Sequence, residues 1–214
     1  MTISATTQGL RPGVTTSSNR PATPFEGQMI YETDTDLTYI YGGSAWQQVS
    51  GGTAVGNSGL VFVKSQTIGS AVSSVNVTSA FSSTYDTYKI VIAGGASSAV
   101  QPLKISFGST ITGYNYSLIY ASYAGVVAAA SGSITTAIFY IGIGAISGIS
   151  ASFEVGSPNL ATVTTVKSSF FDATNAGHMS GYLNNTTSYT GFTVAISAGT
   201  MTGGTITVYG YRKG

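Results

Sequence analysis

The chain has 214 residues, of which only 7% are charged, and its formal net charge at pH 7 is +1. Typical soluble domains carry about 25% charged residues, so this chain has no electrostatic field that would attract nucleic acid or an anionic membrane. It has no cysteine, which excludes a disulfide framework and thiolate metal sites. Charge-poor surfaces tend to associate, and we therefore expect an assembly in preference to a free monomer.

The first segment, residues 1–27, combines prolines with Ser/Thr clusters and shows no hydrophobic period. Pro12, Pro21 and Pro24 cannot donate ladder hydrogen bonds, and they hold their predecessors extended. We predict an extended arm, either disordered or laid along a partner. The arm lacks the basic-then-apolar layout of a signal peptide. The longest apolar run, residues 137–149, is too short for a membrane-spanning helix, so we expect synthesis in a cytoplasm and no membrane insertion.

Residues 28–50 predict a small β-meander. Apolar and polar residues alternate in three short runs, separated by an Asp-rich turn and a Gly-Gly turn. Three short strands cannot bury enough surface to be stable alone. The aromatic side chains therefore need a partner surface, and other copies of the chain are the simplest source of one. The predicted interface residues are Tyr31, Tyr39, Tyr41 and Trp46.

The stretch RPATPFEGQMIYETDTDLTYIYGGSAWQQV, residues 20–49, resembles a segment of tailed-bacteriophage fibre proteins and other virion surface proteins. In those proteins a Pro-rich lead runs into a P-x-x-G-Q-x-x-Y-x-T-D-T hairpin and then a G-x-x-W strand. The matching residues are Pro24, Gly27, Gln28, Tyr31, Thr33, Asp34, Thr35, Gly43 and Trp46. The resemblance implies a virion location and, because such modules are generally trimeric, a homotrimer. It also implies attachment to other virion proteins of the tail or capsid through residues 1–50.

The remainder of the chain predicts a linker and one large β domain. Residues 51–59 are Gly-rich and read as the linker. Residues 60–214 contain about ten short strand-like segments at regular spacing, and none of them has a helical period. This pattern predicts an antiparallel, jelly-roll-like β-sandwich. The fold class of the whole chain is therefore expected to be all-β.

No residue set predicts catalysis. A Ser-His-Asp triad would need His178, the only histidine, beside Asp86 or Asp172, and no G-x-S-x-G elbow precedes a helix. A glycosidase would need two carboxylates from Asp86, Glu154 and Asp172, and nothing in their spacing selects a pair. We therefore expect no enzyme activity and no cofactor.

Two further groups of residues suggest binding. Glu32, Asp34 and Asp36 follow one another at every second position, so in a continuous strand they would share a face that suits Ca²⁺. The calcium-loop pattern is absent, and we favour turn capping by the aspartates over a metal site. The second group is a polar loop tip with an aromatic residue, which suits contact with a receptor or host-surface glycan, although tyrosines in strands more often pack in a core. Its residues are Asn184, Asn185 and Tyr189.

These observations predict a structural phage protein, a short tail fibre or appendage that contacts the host surface. A capsid decoration (cement) protein or head fibre, bound to the shell by its N-terminal arm, is the alternative, and the small size of the chain and the lack of a long shaft repeat favour it. A polysaccharide-cleaving spike and a cellular carbohydrate-binding module are the third and fourth possibilities.

Overall fold

The computed structural model describes residues 12–50 and 59–213, which belong to two compact units divided between Asn57 and Ser58. The described residues form β-strands and one short 3-10 turn, and they include no α-helix. This confirms the predicted all-β class. No helix in these two ranges is long and apolar enough to cross a membrane.

The first unit is a four-stranded sheet in the order β1-β2-β3-β4. Its strands are β1 (Gly13–Thr15), β2 (Met29–Glu32), β3 (Leu37–Tyr41) and β4 (Trp46–Ser50), with the 3-10 turn at Ser17–Asn19. Strands β2, β3 and β4 are antiparallel neighbours, over the residues for which the sequence predicts a meander.

Strand β1 lies in the segment predicted to be an extended arm. It pairs in parallel with β2, with Gly13 opposite Ile30. Residues 12–27 therefore belong to the first unit and fold back along the meander. The reason is that Pro12 precedes the paired residues, so the amides of Gly13–Thr15 remain available for a ladder. Residues 1–11, the rest of the predicted arm, and residues 51–58 of the predicted linker lie outside the described ranges.

The described residues of the second unit, 59–213, form fourteen strands. They are β5 (Leu60–Thr67), β6 (Ser74–Val77), β7 (Thr87–Ala93), β8 (Ala96–Ser97), β9 (Gln101–Phe107), β10 (Tyr114–Ser122), β11 (Val127–Thr135), β12 (Ile138–Ala145), β13 (Gly148–Gly156), β14 (Thr164–Phe171), β15 (Asn175–Leu183), β16 (Phe192–Ile196), β17 (Met201–Thr202) and β18 (Thr205–Tyr211).

Twelve of these strands form an antiparallel β-sandwich-like arrangement. One layer has the order β5-β18-β7-β13-β14-β15-β10-β11, and the other has the order β6-β16-β9-β12. The backbone ladders of the two layers join where Gly148–Ser150 at the start of β13 pair with the end of β12. Strands β8 and β17 form a separate two-stranded ladder.

The core of the second unit lies between these layers. Alternate residues of β7, Tyr88, Ile90 and Ile92, are at most 1% exposed, which is the period of two expected when one strand face is buried. On β9 of the other layer the same alternation buries Leu103, Ile105 and Phe107, each 0% exposed. The opposite face of the eight-stranded layer is solvent-facing, and we call it the outer face.

Tight packing of β10 against β15 depends on glycine. Gly177 of β15 lies opposite Tyr120 of β10, and a Cβ at Gly177 would lie 2.5 Å from the Cβ of Tyr120 and 2.6 Å from the carbonyl oxygen of Ile119. Real side chains do not approach so closely, so only glycine leaves room for the tyrosine. The residues next to Gly177 and Tyr120 along each strand are on the opposite side of the sheet and form part of the outer face.

Candidate functional site

A half-buried ion pair connects the N-terminal segment of the first unit to the meander. Glu32 is 0% exposed, and its Oε1 accepts a hydrogen bond from the Nε of Arg20 at 2.5 Å, while its Oε2 accepts one from the hydroxyl of Thr35 at 2.9 Å. The hydrogen bond from Arg20 holds the pKa of Glu32 below its ordinary value. The guanidinium also lies over the ring of Tyr39, 4.4 Å from its centroid.

The two aspartates of the predicted Glu32, Asp34 and Asp36 group accept hydrogen bonds from different residues. Asp34 accepts hydrogen bonds from the amide of Ser17 at 2.9 Å and from its hydroxyl at 2.6 Å. These bonds, led by the one from the hydroxyl, lower the pKa of Asp34. Asp36 accepts a hydrogen bond from the hydroxyl of Tyr31 at 2.8 Å.

The calcium alternative therefore has no support in the contacts of these carboxylates. Glu32 is directed to Arg20, and Asp34 caps the 3-10 turn of the N-terminal segment. Across residues 12–50 and 59–213, no group of three or more His, Cys, Asp or Glu side chains is arranged to hold a metal ion.

The four aromatic residues predicted to form an oligomer interface do not share one face of the sheet. In the β2–β3–β4 register, Tyr39, Tyr41 and Trp46 lie on the same face as Ile30, whereas Tyr31 lies on the opposite face. The rings of Tyr41 and Trp46 pack edge to face at 5.4 Å. All four side chains remain partly exposed.

The first unit also exposes other apolar side chains. Ile30, at 1% exposed, is the single buried apolar side chain among its described residues. In contrast, four large apolar residues are well exposed: Val14 at 48%, Phe25 at 69%, Met29 at 45% and Val49 at 52%. Apolar surface is therefore open on a unit that has almost no core of its own.

The predicted receptor-contact residues have different environments. Tyr189 is only 5% exposed, because its ring packs 5.6 Å from that of Phe107. Its hydroxyl forms a hydrogen bond with the hydroxyl of Thr110 at 2.7 Å and accepts one from the side-chain amide Nδ2 of Asn185 at 2.9 Å. Tyr189 thus anchors the loop to the core, and its ring is not available to a receptor. Asn184 is exposed at the loop tip.

His178 has a serine partner and no acidic one among the described residues. Ser169 of β14 and His178 of β15 are directly opposite each other on the outer face, and the serine Oγ lies 3.0 Å from the histidine Nδ1. Asp86 forms an ion pair with Lys213 at 2.8 Å. Neither of the aspartates considered for a triad contacts the histidine.

Asp172 and Glu154 are also engaged locally. Although burial opposes its ionisation, amide hydrogen bonds from Thr174 and Asn175, at 2.7 and 2.8 Å, lower the pKa of Asp172. Glu154 accepts a hydrogen bond from the hydroxyl of Tyr211 at 2.6 Å and raises the pKa of that phenol. The carboxylates considered for glycoside hydrolysis thus have separate partners.

A groove on the outer face brings together an aromatic ring, hydroxyls and a lysine. Its volume is about 560 Å³, and we call it the Tyr182 groove. Four of its residues lie side by side on adjacent strands. They are Lys167 of β14, Ser180 of β15, Ser117 of β10 and Ser131 of β11. Tyr182, two residues beyond Ser180 on the same face, is 42% exposed and forms a wall beside this row.

The polar groups of the groove are free to meet a ligand. The hydroxyls of Ser117, Ser131, Ser180 and Tyr182 and the ammonium of Lys167 have no hydrogen-bond partner within residues 12–50 and 59–213. Asn115, at the margin, is occupied: its side-chain oxygen accepts bonds from Ser133 and from the amide of Ile134. The sequence gives little signal for this site, because Ser117, Ser131 and Ser180 lie on three different strands and meet only through the register of the sheet.

Comparison with known proteins found no matching protein family, no similar curated protein and no similar solved structure.

Proposed function

We propose that this chain is a non-enzymatic structural protein of a tailed-bacteriophage particle, a short tail fibre or similar appendage that contacts the host surface. It would act as a homotrimer, joined to other virion proteins through residues 1–50. The second unit would be its outward-facing domain, of jelly-roll type. The observation that carries this proposal is the first unit, where the phage-like motif coincides with the residues that shape the sheet.

The motif residues have structural roles that explain their presence. Gly27 and Gly43 adopt φ values of 83° and 88°, a left-handed conformation that favours glycine. Asp34 caps the turn at Ser17, and Trp46 packs on Tyr41. A resemblance based on such residues supports a shared module, because these four residues contribute to the turns and contacts of this small sheet.

The poor core of the first unit supports an attachment and oligomerisation role. The described residues of the first unit bury one apolar side chain and expose several large ones, so they cannot derive their stability from a core of their own. Exposed apolar groups of this kind mark protein–protein contacts. Other copies of the chain and neighbouring virion proteins are the partners that we propose for this surface.

A capsid decoration protein or head fibre is the second candidate. The same observation supports it, because a small sheet that needs a partner surface can be seated on a capsid shell as well as on a tail. The candidates differ in location and not in chemistry.

Immunogold labelling of intact phage particles, with antibody raised against residues 60–214, tests the proposal. Label at the tail is the expected result. Label spread evenly over the head would favour the capsid decoration protein, and the stability of capsids that lack the protein would then be measured. Absence of label on every particle would refute both candidates.

A further inference from the structure

We propose that the Tyr182 groove is a saccharide-binding site, in which a sugar ring stacks on Tyr182 and its hydroxyl groups bond to the serine row. This inference rests on the proposed host-contact function and names the ligand class and the residues. It places contact on the outer face of the eight-stranded layer, whereas the sequence analysis expected it at the loop of residues 184–189.

The first argument is the combination of a ring and hydroxyls. A tyrosine that is 42% exposed offers its apolar ring face to a ligand. The C–H groups on one face of a pyranose ring suit such a surface. Beside it, Ser117, Ser131 and Ser180 follow one another at the strand spacing of about 4.8 Å. Each hydroxyl can both donate and accept a hydrogen bond, which matches the hydroxyls of a sugar.

The second argument is the shape of the groove. Small side chains leave a depression on the sheet, and Tyr182 and Val163 stand at its margin. Its volume of about 560 Å³ lies within the range of about 300–1,000 Å³ that is usual for small-molecule sites. The exposed lining is mostly apolar and the serine hydroxyls are its few polar points, in a space large enough for one or two sugar rings.

Charge narrows the ligand class further. Lys167 ends the serine row, and its ammonium has no partner within the described ranges. The lining of the groove contains no carboxylate among the described residues. Just outside it, Glu154 lies opposite Lys167 on one side and opposite Lys89 on the other, so these three side chains together keep a net positive charge. An acidic substituent on the sugar, a carboxylate or a phosphate, would therefore be attracted to this end of the groove. The proposed ligand is a saccharide with such a group, as part of a surface polysaccharide.

The same face of the sheet supplies a matched control. Phe171 is also exposed, at 62%, and lies in a second groove on the outer face. The residues opposite and beside it are Ala176 and Ala121, however, so that ring has no hydroxyl row next to it. If an exposed aromatic ring were sufficient for sugar binding, both grooves would bind sugar equally well. Our proposal predicts that only the Tyr182 groove binds sugar.

The experiment measures binding of the full-length chain to an array of neutral and acidic oligosaccharides, followed by saturation-transfer NMR with each retained sugar. We expect retention of acidic sugars. Tyr182→Ala should weaken binding at least tenfold, and Ser180→Ala several-fold. Phe171→Ala should leave it within twofold of the unchanged protein. Lys167→Gln should weaken binding of the acidic sugars and spare their neutral analogues.

Three results would overturn the inference: retention of no sugar, equal loss in the Tyr182→Ala and Phe171→Ala variants, or unchanged binding by Tyr182→Ala. Because Tyr182 is far from fully buried, unfolding midpoints of the variants should match that of the unchanged chain, and this comparison separates lost binding from lost structure. Particle labelling without sugar binding would refute this inference alone. Absence of the chain from particles would refute the proposed function, whatever the array shows.

Discussion

The hydroxyl of Tyr114 is expected to be a major stabilising group of the second unit. It is buried at the start of β10, where it accepts a hydrogen bond from the amide of Phe107 at 2.7 Å and donates to the carbonyl of Thr110 at 3.2 Å. Phe107 ends β9 in the four-stranded layer, so this one group fixes the connection between the two layers. The substitution Tyr114→Phe removes the hydroxyl and keeps the ring.

The expected loss of stability follows from the backbone amide of Phe107, which the substitution leaves without a hydrogen-bond acceptor. Both Tyr114 and Phe107 are 0% exposed, so no water can replace the lost acceptor. A buried donor without a partner costs about 1–3 kcal/mol. For a domain of this size, that loss lowers the melting temperature by about 2–12 °C. Tyr189→Phe is the matched control, because its hydroxyl bonds to the partly exposed side chains of Thr110 and Asn185, which can turn to solvent.

The pH dependence of stability at alkaline pH is an independent test of the role of the Tyr114 hydroxyl. Burial raises the pKa of Tyr114 to about 12, from 10.0. Because the folded-state pKa is raised, the neutral phenol's contribution is fully present below pH 10 and is lost as pH rises towards 12. A shift of about two units amounts to about 3 kcal/mol at most. Tyr114→Phe should lack this part of the alkaline destabilisation.

Calorimetry at one fixed protein concentration measures both effects, since any change in oligomer population also shifts the midpoint. We expect Tyr114→Phe to melt well below the unchanged protein and below Tyr189→Phe. Equal midpoints for the two variants, or a Tyr114→Phe loss under about 0.5 kcal/mol, would show that the buried amide finds another acceptor and that the reasoning is wrong.

Gly177→Ala should cost about 1–3 kcal/mol, because the new methyl group would overlap Tyr120 across the strands; an unchanged calorimetric midpoint would contradict this packing. The folded pKa of Glu32 lies below its ordinary 4.5, so its stabilising contribution is present above that pH and is lost as pH falls through the folded value. Fluorescence of Trp46, the only tryptophan, should therefore report acid unfolding of the first unit, and Arg20→Gln should shift the transition to higher pH. If both proteins titrate alike, the ion pair is not the cause. Finally, light scattering should show that the proposed homotrimer persists in NaCl up to about 0.5 M, since few exposed charges are available for screening. Dissociation by salt alone would refute this.

Strand faces in the second unit were predictable because one local rule determines them. Apolar residues alternate with polar or less buried ones in the sequences of β7 and β9, and the apolar face of each strand is buried. The pairing of strands could not be predicted in the same way. Strand β18 pairs with both β5 and β7, which are distant in sequence, and no local pattern contains that information. The sheet order was therefore beyond the sequence analysis.

The candidate sites were harder to predict because each depends on contacts between segments. Glu32 was assigned to an acidic cluster on the assumption of a free strand face, yet β1 folds back and brings Arg20 to it. Tyr189 was assigned to an exposed loop tip, although its ring reaches the core beside Phe107. The serine row of the Tyr182 groove comes from three strands whose register only the folded sheet defines.

The charge distribution explains why oligomerisation and weak single-site binding belong together in the proposed function. No charged residue lies between Lys104 and Glu154, so β10 and β11 rely on hydroxyl groups for hydration. In the proposed site, those hydroxyls would exchange bonds with water for equivalent bonds with a sugar, and each such exchange would contribute only about 0.5–1.5 kcal/mol. A single Tyr182 groove would therefore bind weakly. Joining several copies through the first unit raises the effective concentration of grooves, and avidity can then exceed single-site affinity by about 10²–10⁴. In the proposed homotrimer, the apolar surface of the first unit would thus supply the affinity that a single groove of the second unit lacks.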